Sequence, residues 1–176
     1  MQVVEFRPSL LPGLTRLVNG QMASVPPGFT FTEAQVARVI EGAPSLWSMH
    51  FPEDKTAYTT RTVCVLDRGE VAAAAQWLFA SETPQTCTIL WMFAHPDQPT
   101  PLKTLLHLLD RQAQVCERVE FSRFAFGIGW LGIPEAWTHL TAALLEAGYV
   151  QSETWRVMIR AAVPPDRPPT RDLKFY

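Results

Sequence analysis

Glycine is missing from the middle of this chain. None occurs between Glu70 and Phe126, the stretch that holds the most strongly patterned strand and helix. A glycine-rich phosphate loop is excluded there, and neither a Walker loop nor a G-x-S-x-G nucleophile motif occurs anywhere. Cysteine is scarce too. Cys64, Cys87 and Cys116 are odd in number and scattered. They rule out a disulfide framework and read as buried, reduced thiols of a cytoplasmic protein. His50, His95, His107 and His139 show no metal-ligand spacing and no accompanying Cys or acidic cluster, so no metal is expected. The net charge is only −2 and the pI about 6.1. Neither nucleic acid nor an anionic membrane surface is an expected partner. No apolar run approaches membrane-spanning length, and Met1–Ser9 is not patterned as a signal peptide.

What is present suits a single domain. The chain has 176 residues, nearly half of them apolar, enough to bury a core. Thr86–Cys116 organises the rest. An apolar strand, Thr86–Ala94, ends before His95-Pro96, and a polar loop leads to an amphipathic helix starting near Pro101. Leu102, Leu105, Leu106, Leu109, Ala113 and Cys116 fall on one stripe at helical period. Thr100 is the expected N-cap, and Pro101 the first helical residue, where a missing N–H costs nothing. A strand, tight loop and helix N-terminus is also an arrangement that presents N–H groups to a phosphate.

In chain order, Val3–Phe6 reads as a strand, and a first helix carries Leu14, Leu17 and Val18 and stops at Asn19-Gly20. Thr32 and Gln35 have capping-box spacing ahead of a second helix with Val36, Val39 and Ile40 inward. Ser45–Thr60 is expected as an ordered loop. Thr62–Leu66 and Val71–Ala80 form a hairpin about a turn at Asp67–Gly69. Arg123–Trp130 reads as a strand, with Phe124, Phe126, Ile128 and Trp130 on one face and Ala125, Gly127 and Gly129 on the other. Pro134–Ala147 is the last helix, with Ile133, Trp137, Leu140, Leu144 and Ala147 as its stripe. His139 and Glu135 fall on its outward, solvated side. Val150–Ala161 closes the sheet, and residues 162–176 have the composition of a proline-rich tail.

Gly127–Gly132 is formally G-x-G-x-x-G. The helix after it is delayed by Pro134, and only one further strand follows, so a dinucleotide fold is excluded. Its glycines read as close-packing positions. Lys103 breaks a local rule, because a cation in the first turn opposes the helix dipole. It is either an exposed lysine screened by solvent or, with Gln98 and Thr100, a substitute for absent phosphate-binding N–H groups.

The strand Thr88–Pro96 (TILWMFAHP) followed by a leucine-rich helix resembles the acetyl-CoA-binding core of the GNAT N-acyltransferase superfamily. Leu140–Arg160 (LTAALLEAGYVQSETWRVMIR) resembles that family's last helix, Gly-aromatic corner (Gly148-Tyr149) and closing strand. The likeness spans about Val3–Ala161. Pro96 matches the family's proline and Gln98 its Arg/Gln position, whereas Pro101 and Lys103 stand where two small residues are usual. The resemblance implies an α/β fold of α+β type. It has a mixed, mostly antiparallel sheet with helices on both faces and one splayed parallel pair, Thr86–Ala94 beside Arg123–Trp130. Residues 1–161 form the domain. The resemblance also implies acetyl-CoA as co-substrate, held by Phe93, Ala94, Gln98, Thr100, Leu102, Lys103 and Thr104. Backbone near Phe93 and Ala94 would receive the oxyanion. The small-residue face of Arg123–Trp130 would flank the pantetheine slot, and Trp47, His50 and Tyr58 would wall the acceptor pocket.

The family's usual asparagine and tyrosine helpers fall on Trp137 and Leu144, so neither is present. Glu33, Glu70 or a water could act as base, and nothing in the sequence singles one out. Two functions follow. One is a divergent N-acyltransferase acting on a small amine or a peptide N-terminus. The other is an inactive GNAT-shaped module that binds or dimerises, as a homodimer or beside a tandem partner domain.

Overall fold

The sheet is built around a two-residue turn. In the computed structural model, which describes residues 1–25, 30–41, 58–80, 86–121 and 133–151, β2 (Tyr58–Asp67) meets β3 (Glu70–Ala80) through Arg68 and Gly69. Both turn residues have positive φ, 52° and 88°. That pair matches a type I′ turn, whose twist suits the strands it joins, and Gly69 supplies the freedom the second angle needs. β4 (Thr86–Ala94) lies antiparallel on β3, and β1 (Gln2–Glu5) lies antiparallel on β2. β5 (Arg118–Phe121) runs parallel to β4, from Thr86↔Arg118 to Ile89↔Phe121. The sheet is mixed and mostly antiparallel with one parallel pair, in the order β1-β2-β3-β4-β5.

The parallel partner starts earlier than expected. Val119 and Phe121 are half-buried while Arg118 and Glu120 are exposed, the period-two signature of a strand. The expected strand at 123–130, with its small-residue face, lies outside the described residues. So do most of the expected closing strand, from 152 onward, and the tail.

Among the described residues there are four α-helices. α1 (Leu11–Met22) follows a 3-10 turn at Pro8–Leu10, and α2 is Glu33–Ile40. α3 is Pro99–Ala113 and α4 is Thr138–Glu146. Every residue from Val71 to Leu78 of β3 is buried. A strand buried at consecutive positions needs cover on both faces. α1 and α3 both pack against it, and the small side chains of Ala72–Ala75 let backbones approach closely. Fully buried Ile89, Phe93, Leu105 and Leu109 each contribute about 1.5–3 kcal/mol of apolar transfer.

A polar network fixes α2 against the sheet. Trp91 Nε1 donates to Gln76 Oε1 (2.9 Å), and Gln76 Nε2 donates to Thr62 Oγ1 (2.9 Å) and to Ile40 O (2.8 Å). The last bond satisfies a carbonyl that the end of α2 would otherwise leave open. The expected capping box is present: Thr32 Oγ1 accepts from Gln35 N (3.3 Å) and Gln35 Oε1 from Thr32 N (2.8 Å).

Several helix ends differ from expectation. α1 runs past Asn19-Gly20 to Met22, because the Asn19 amide does not stop the helix. It grips Phe31 instead, donating to its carbonyl (2.9 Å) and accepting from its N–H (2.7 Å). α3 starts at Pro99, so Thr100 lies inside the helix and the N-cap is Gln98, without a side-chain cap bond. Pro99 and Pro101 then occupy first-turn positions whose N–H groups would have no helical partner. α3 stops at Ala113, leaving Cys116 beyond it. α4 begins at Thr138, since Pro134–Trp137 forms a separate turn closed by Trp137 N–H to Pro134 O (2.9 Å). Ala147, expected in the apolar stripe, is exposed. Gly148, at φ 90°, ends α4 in a Schellman motif: its N–H reaches Leu145 O and that of Tyr149 reaches Leu144 O, both 3.0 Å. Among the described residues, no helix is long and apolar enough to cross a membrane.

Candidate functional site

The end of β4 is held by side chains from two helices. Ala94 N–H donates to Gln21 Oε1 of α1 at 2.8 Å. Ala94 O accepts from His139 Nε2 of α4 at 3.1 Å. Trp137 packs its ring edge-on to Phe93 (centroids 5.5 Å) and points its indole N–H at Gln21 O and Ser24 Oγ, both 3.2 Å. The last turn of α1 is thereby sewn to the start of α4 across the strand end. The β3–β4 ladder also runs one bond further, with His95 N–H to Ala72 O at 3.1 Å.

Beside this junction a cleft of about 250 Å³ opens between the N-terminal turn of α3 and one face of α4. Pro96, Pro99, Leu102, Ala142 and Ala143 give it apolar walls, and His95, His139, Lys103 and Glu146 supply its polar groups. On α4 the lining residues follow i, i+3, i+4, i+7: His139, Ala142, Ala143, Glu146.

Lys103 is neither unpaired nor a free phosphate ligand here. Its Nζ sits 2.8 Å from Glu146 Oε1, with the two side chains 50% and 66% exposed. Each charge lies at the wrong end of its own helix dipole, a cation at the start of α3 and a carboxylate at the end of α4. Pairing offsets part of that cost, although so exposed a bridge is worth only about 0–1 kcal/mol.

His139, expected on a solvated face, is half-buried against Ala94. Burial lowers its pKa below the usual histidine value, and the bond to Ala94 O and the charge of Asp97 oppose that shift only in part. The ring is therefore neutral at neutral pH. A carbonyl can only accept, so Nε2 carries the hydrogen and Nδ1 keeps its lone pair.

The expected ligand residues are divided. Leu102 and Lys103 line the cleft. Phe93 and Ala94 lie buried behind it, and the expected oxyanion donor, Ala94 N–H, is already bound to Gln21. Gln98 and Thr100 are exposed at the start of α3, and Thr104 turns its hydroxyl to Thr100 O (2.9 Å). Gln98 N–H donates to His95 O (3.1 Å). With Pro99 and Pro101 lacking N–H groups, and Leu102 and Lys103 bonded within the helix, Thr100 alone keeps a first-turn N–H for a ligand. Trp47 and His50 lie outside the described residues. Tyr58 is not in a loop but opens β2, paired with Ala80, whereas Ala94 pairs with Ala73. Those β3 partners are 80 − 73 = 7 residues apart, roughly 23 Å at strand rise.

Gln21, His139 and Glu146 were not singled out from the sequence. A signal existed for each. Gln21 sits on the stripe of Leu14, Leu17 and Val18, a polar residue on an apolar face. His139 and Glu146 flank two alanines at helical spacing.

No protein-family model and no curated protein matches the sequence. Solved structures do share its architecture. An Agrobacterium tumefaciens protein classed as an acetyltransferase aligns at a TM-score of 0.56 and 15% identity, over 91% of this chain and 100% of its own. A Bacillus halodurans transcriptional regulator aligns at 0.55 and 10%, over 90% and 99%. A Brucella melitensis ribosomal-protein-alanine N-acetyltransferase aligns at 0.54 and 10%, over 92% and 100%. Likeness at 10–15% identity establishes the fold, a GNAT-like one.

Proposed function

We propose that this chain is a divergent CoA-dependent N-acyltransferase, moving an acyl group from acetyl-CoA to a small amine or a peptide N-terminus in the cytoplasm. The observation that carries the reading is the cleft where β4, the start of α3 and α4 meet on a GNAT-like fold. Its apolar walls suit an aliphatic thioester arm. The α3 dipole and the Thr100 N–H suit an anion, and Lys103 adds a cation when it leaves Glu146. That is less than a glycine loop offers, so acetyl-CoA binding is weak and salt-sensitive. The alanine N-acetyltransferase among the structural neighbours supports an amine as acceptor. Trp47 and His50 keep their proposed place at the acceptor.

Ligand linkage tests this. Saturation at a hundredfold excess over Kd adds about 2.7 kcal/mol, roughly 5–10 °C in Tm at this size. Millimolar acetyl-CoA should raise Tm, the rise should shrink at high salt and in Lys103→Ala, and a panel of amines should release free thiol. No Tm rise at any concentration rejects the reading.

One observation favours a second function, a binding or dimerising module without turnover. Gln21 and His139 already occupy both backbone groups of Ala94. Acetyl-CoA binding without thiol release from any amine would favour it.

A further inference from the structure

We propose that His139 is the proton carrier of the transfer reaction, taking a proton at Nδ1 from the attacking amine and delivering it to the departing thiolate. The inference rests on the acyltransferase reading above and supplies the group that neither Trp137 nor Leu144 can provide. Three features of the geometry support it. His139 lines the cleft from α4, so an occupant meets its ring. Its Nε2–H is committed to Ala94 O at 3.1 Å, which fixes both tautomer and ring orientation and leaves the Nδ1 lone pair uncommitted. The anchoring carbonyl ends β4, the strand against which the thioester arm is expected, so the base and the reacting carbon share one support.

The step balances without any added reagent. A neutral amine attacks the thioester carbonyl carbon, a C–N bond forms and the C–S bond breaks. The amine proton passes to Nδ1, directly or through one water, and then to the thiolate sulfur. The products are an amide and a free thiol, and the imidazole returns to its neutral form.

The surroundings suit a group that must be neutral at rest and cationic in passing. Burial disfavours the imidazolium, while Ala94 O and the carboxylate of Asp97 stabilise it. The other ionisable groups facing the cleft are His95, Lys103 and Glu146, and the last two neutralise each other. His107 lies on an exposed position of α3 and Asp110 further along the same helix, so neither shares the site.

His139→Gln separates a chemical role from a structural one. Its amide N–H can still donate to Ala94 O, but it cannot take up a proton. The variant should keep its Tm and its acetyl-CoA-induced Tm rise, lose roughly 10²–10⁴-fold in kcat, and lose the limb of the pH profile that rises from acid toward neutral pH. Unchanged kcat and an unchanged limb overturn the inference and leave the acyltransferase reading standing. Wild type that neither binds acetyl-CoA nor releases thiol removes both, which the binding arm shows independently. Nitrogen-15 NMR of the free protein gives a readout without turnover. At pH 7 His139 should show a protonated Nε2 and a bare Nδ1. An imidazolium, or the opposite tautomer, overturns the proposal even in active enzyme.

Discussion

Two buried glutamines are used in opposite ways. Gln76, 1% exposed, has its carbonyl and both amide hydrogens paired, with Trp91, Thr62 and Ile40. Gln21, 4% exposed, accepts from Ala94 N–H, yet its Nε2 has no hydrogen-bond partner among the described residues. A satisfied buried amide specifies how a core fits together. A half-satisfied one costs about 1–3 kcal/mol and needs a reason. The complete network lies mid-sheet, and the incomplete one lies at the strand end beside the cleft. Among the described residues, unpaired buried atoms also occur away from the cleft, at Thr15 Oγ1, Trp77 Nε1, Gln112 Oε1 and Tyr149 Oη. What sets Gln21 apart is its position, on the backbone of Ala94 beside the proposed site.

Gln76→Leu is the most severe way to probe this contrast. It removes the partner of the buried Trp91 Nε1 and of the part-buried Ile40 O, so about 2–4 kcal/mol of stability should go, roughly 4–16 °C in Tm. A urea titration showing less than about 1 kcal/mol lost would mean that the network is dispensable, and the contrast would break.

The two regions also answer to opposite ends of the pH scale. In the core, burial pushes the Cys64 and Cys87 thiols from 9.0 to about 12. Between those values the unfolded chain releases protons that the folded one keeps. Their contribution is full below pH 9 and fades as pH climbs toward 12. At the strand end, His139 has a lowered pKa, so there the unfolded chain binds more protons. Its contribution is full above the unfolded histidine value and fades as pH falls through the lowered one. Unfolding free energies measured from pH 5 to 11 should sag at both ends, with Cys64→Ala flattening only the alkaline side. A flat alkaline limb in the wild type would contradict the burial of the thiols.

Gln21→Leu should do least. It exchanges one unpaired buried donor, Nε2, for another, Ala94 N–H, so the net loss is about 0–1 kcal/mol. A loss as large as that of Gln76→Leu would erase the distinction between the two residues.

What could be read from the sequence was local chemistry. The Asp67–Gly69 turn, the Thr32–Gln35 box and the bounds of β4 all depend on residues within a few positions of one another, and all stand. What could not be read depends on partners far along the chain. Asn19 looked like a helix stop, but Phe31, 12 residues on, captures its amide. Lys103 looked like a phosphate ligand or a screened charge until α4 brought Glu146 beside it, 43 residues away. His139 looked solvated because its partner is a backbone carbonyl, a group no side-chain pattern reveals. The candidate site is assembled almost wholly from such distant pairs, which is why the fold was more legible than the chemistry.

The turn between β2 and β3 also has a consequence for the order of folding. Closing two residues between strands is among the least demanding steps available to a chain, and hairpins form in about 1–10 μs. β1 must wait for Glu5 to find Val63 across the whole of α1 and α2, and β5 can join β4 only after α3 has spanned the gap. The β2–β3 ribbon is thus the natural nucleus, and the strand carrying Ala94 docks onto a surface already made. The cleft appears last, when α4 arrives, so a nascent chain acquires its shape before its chemistry.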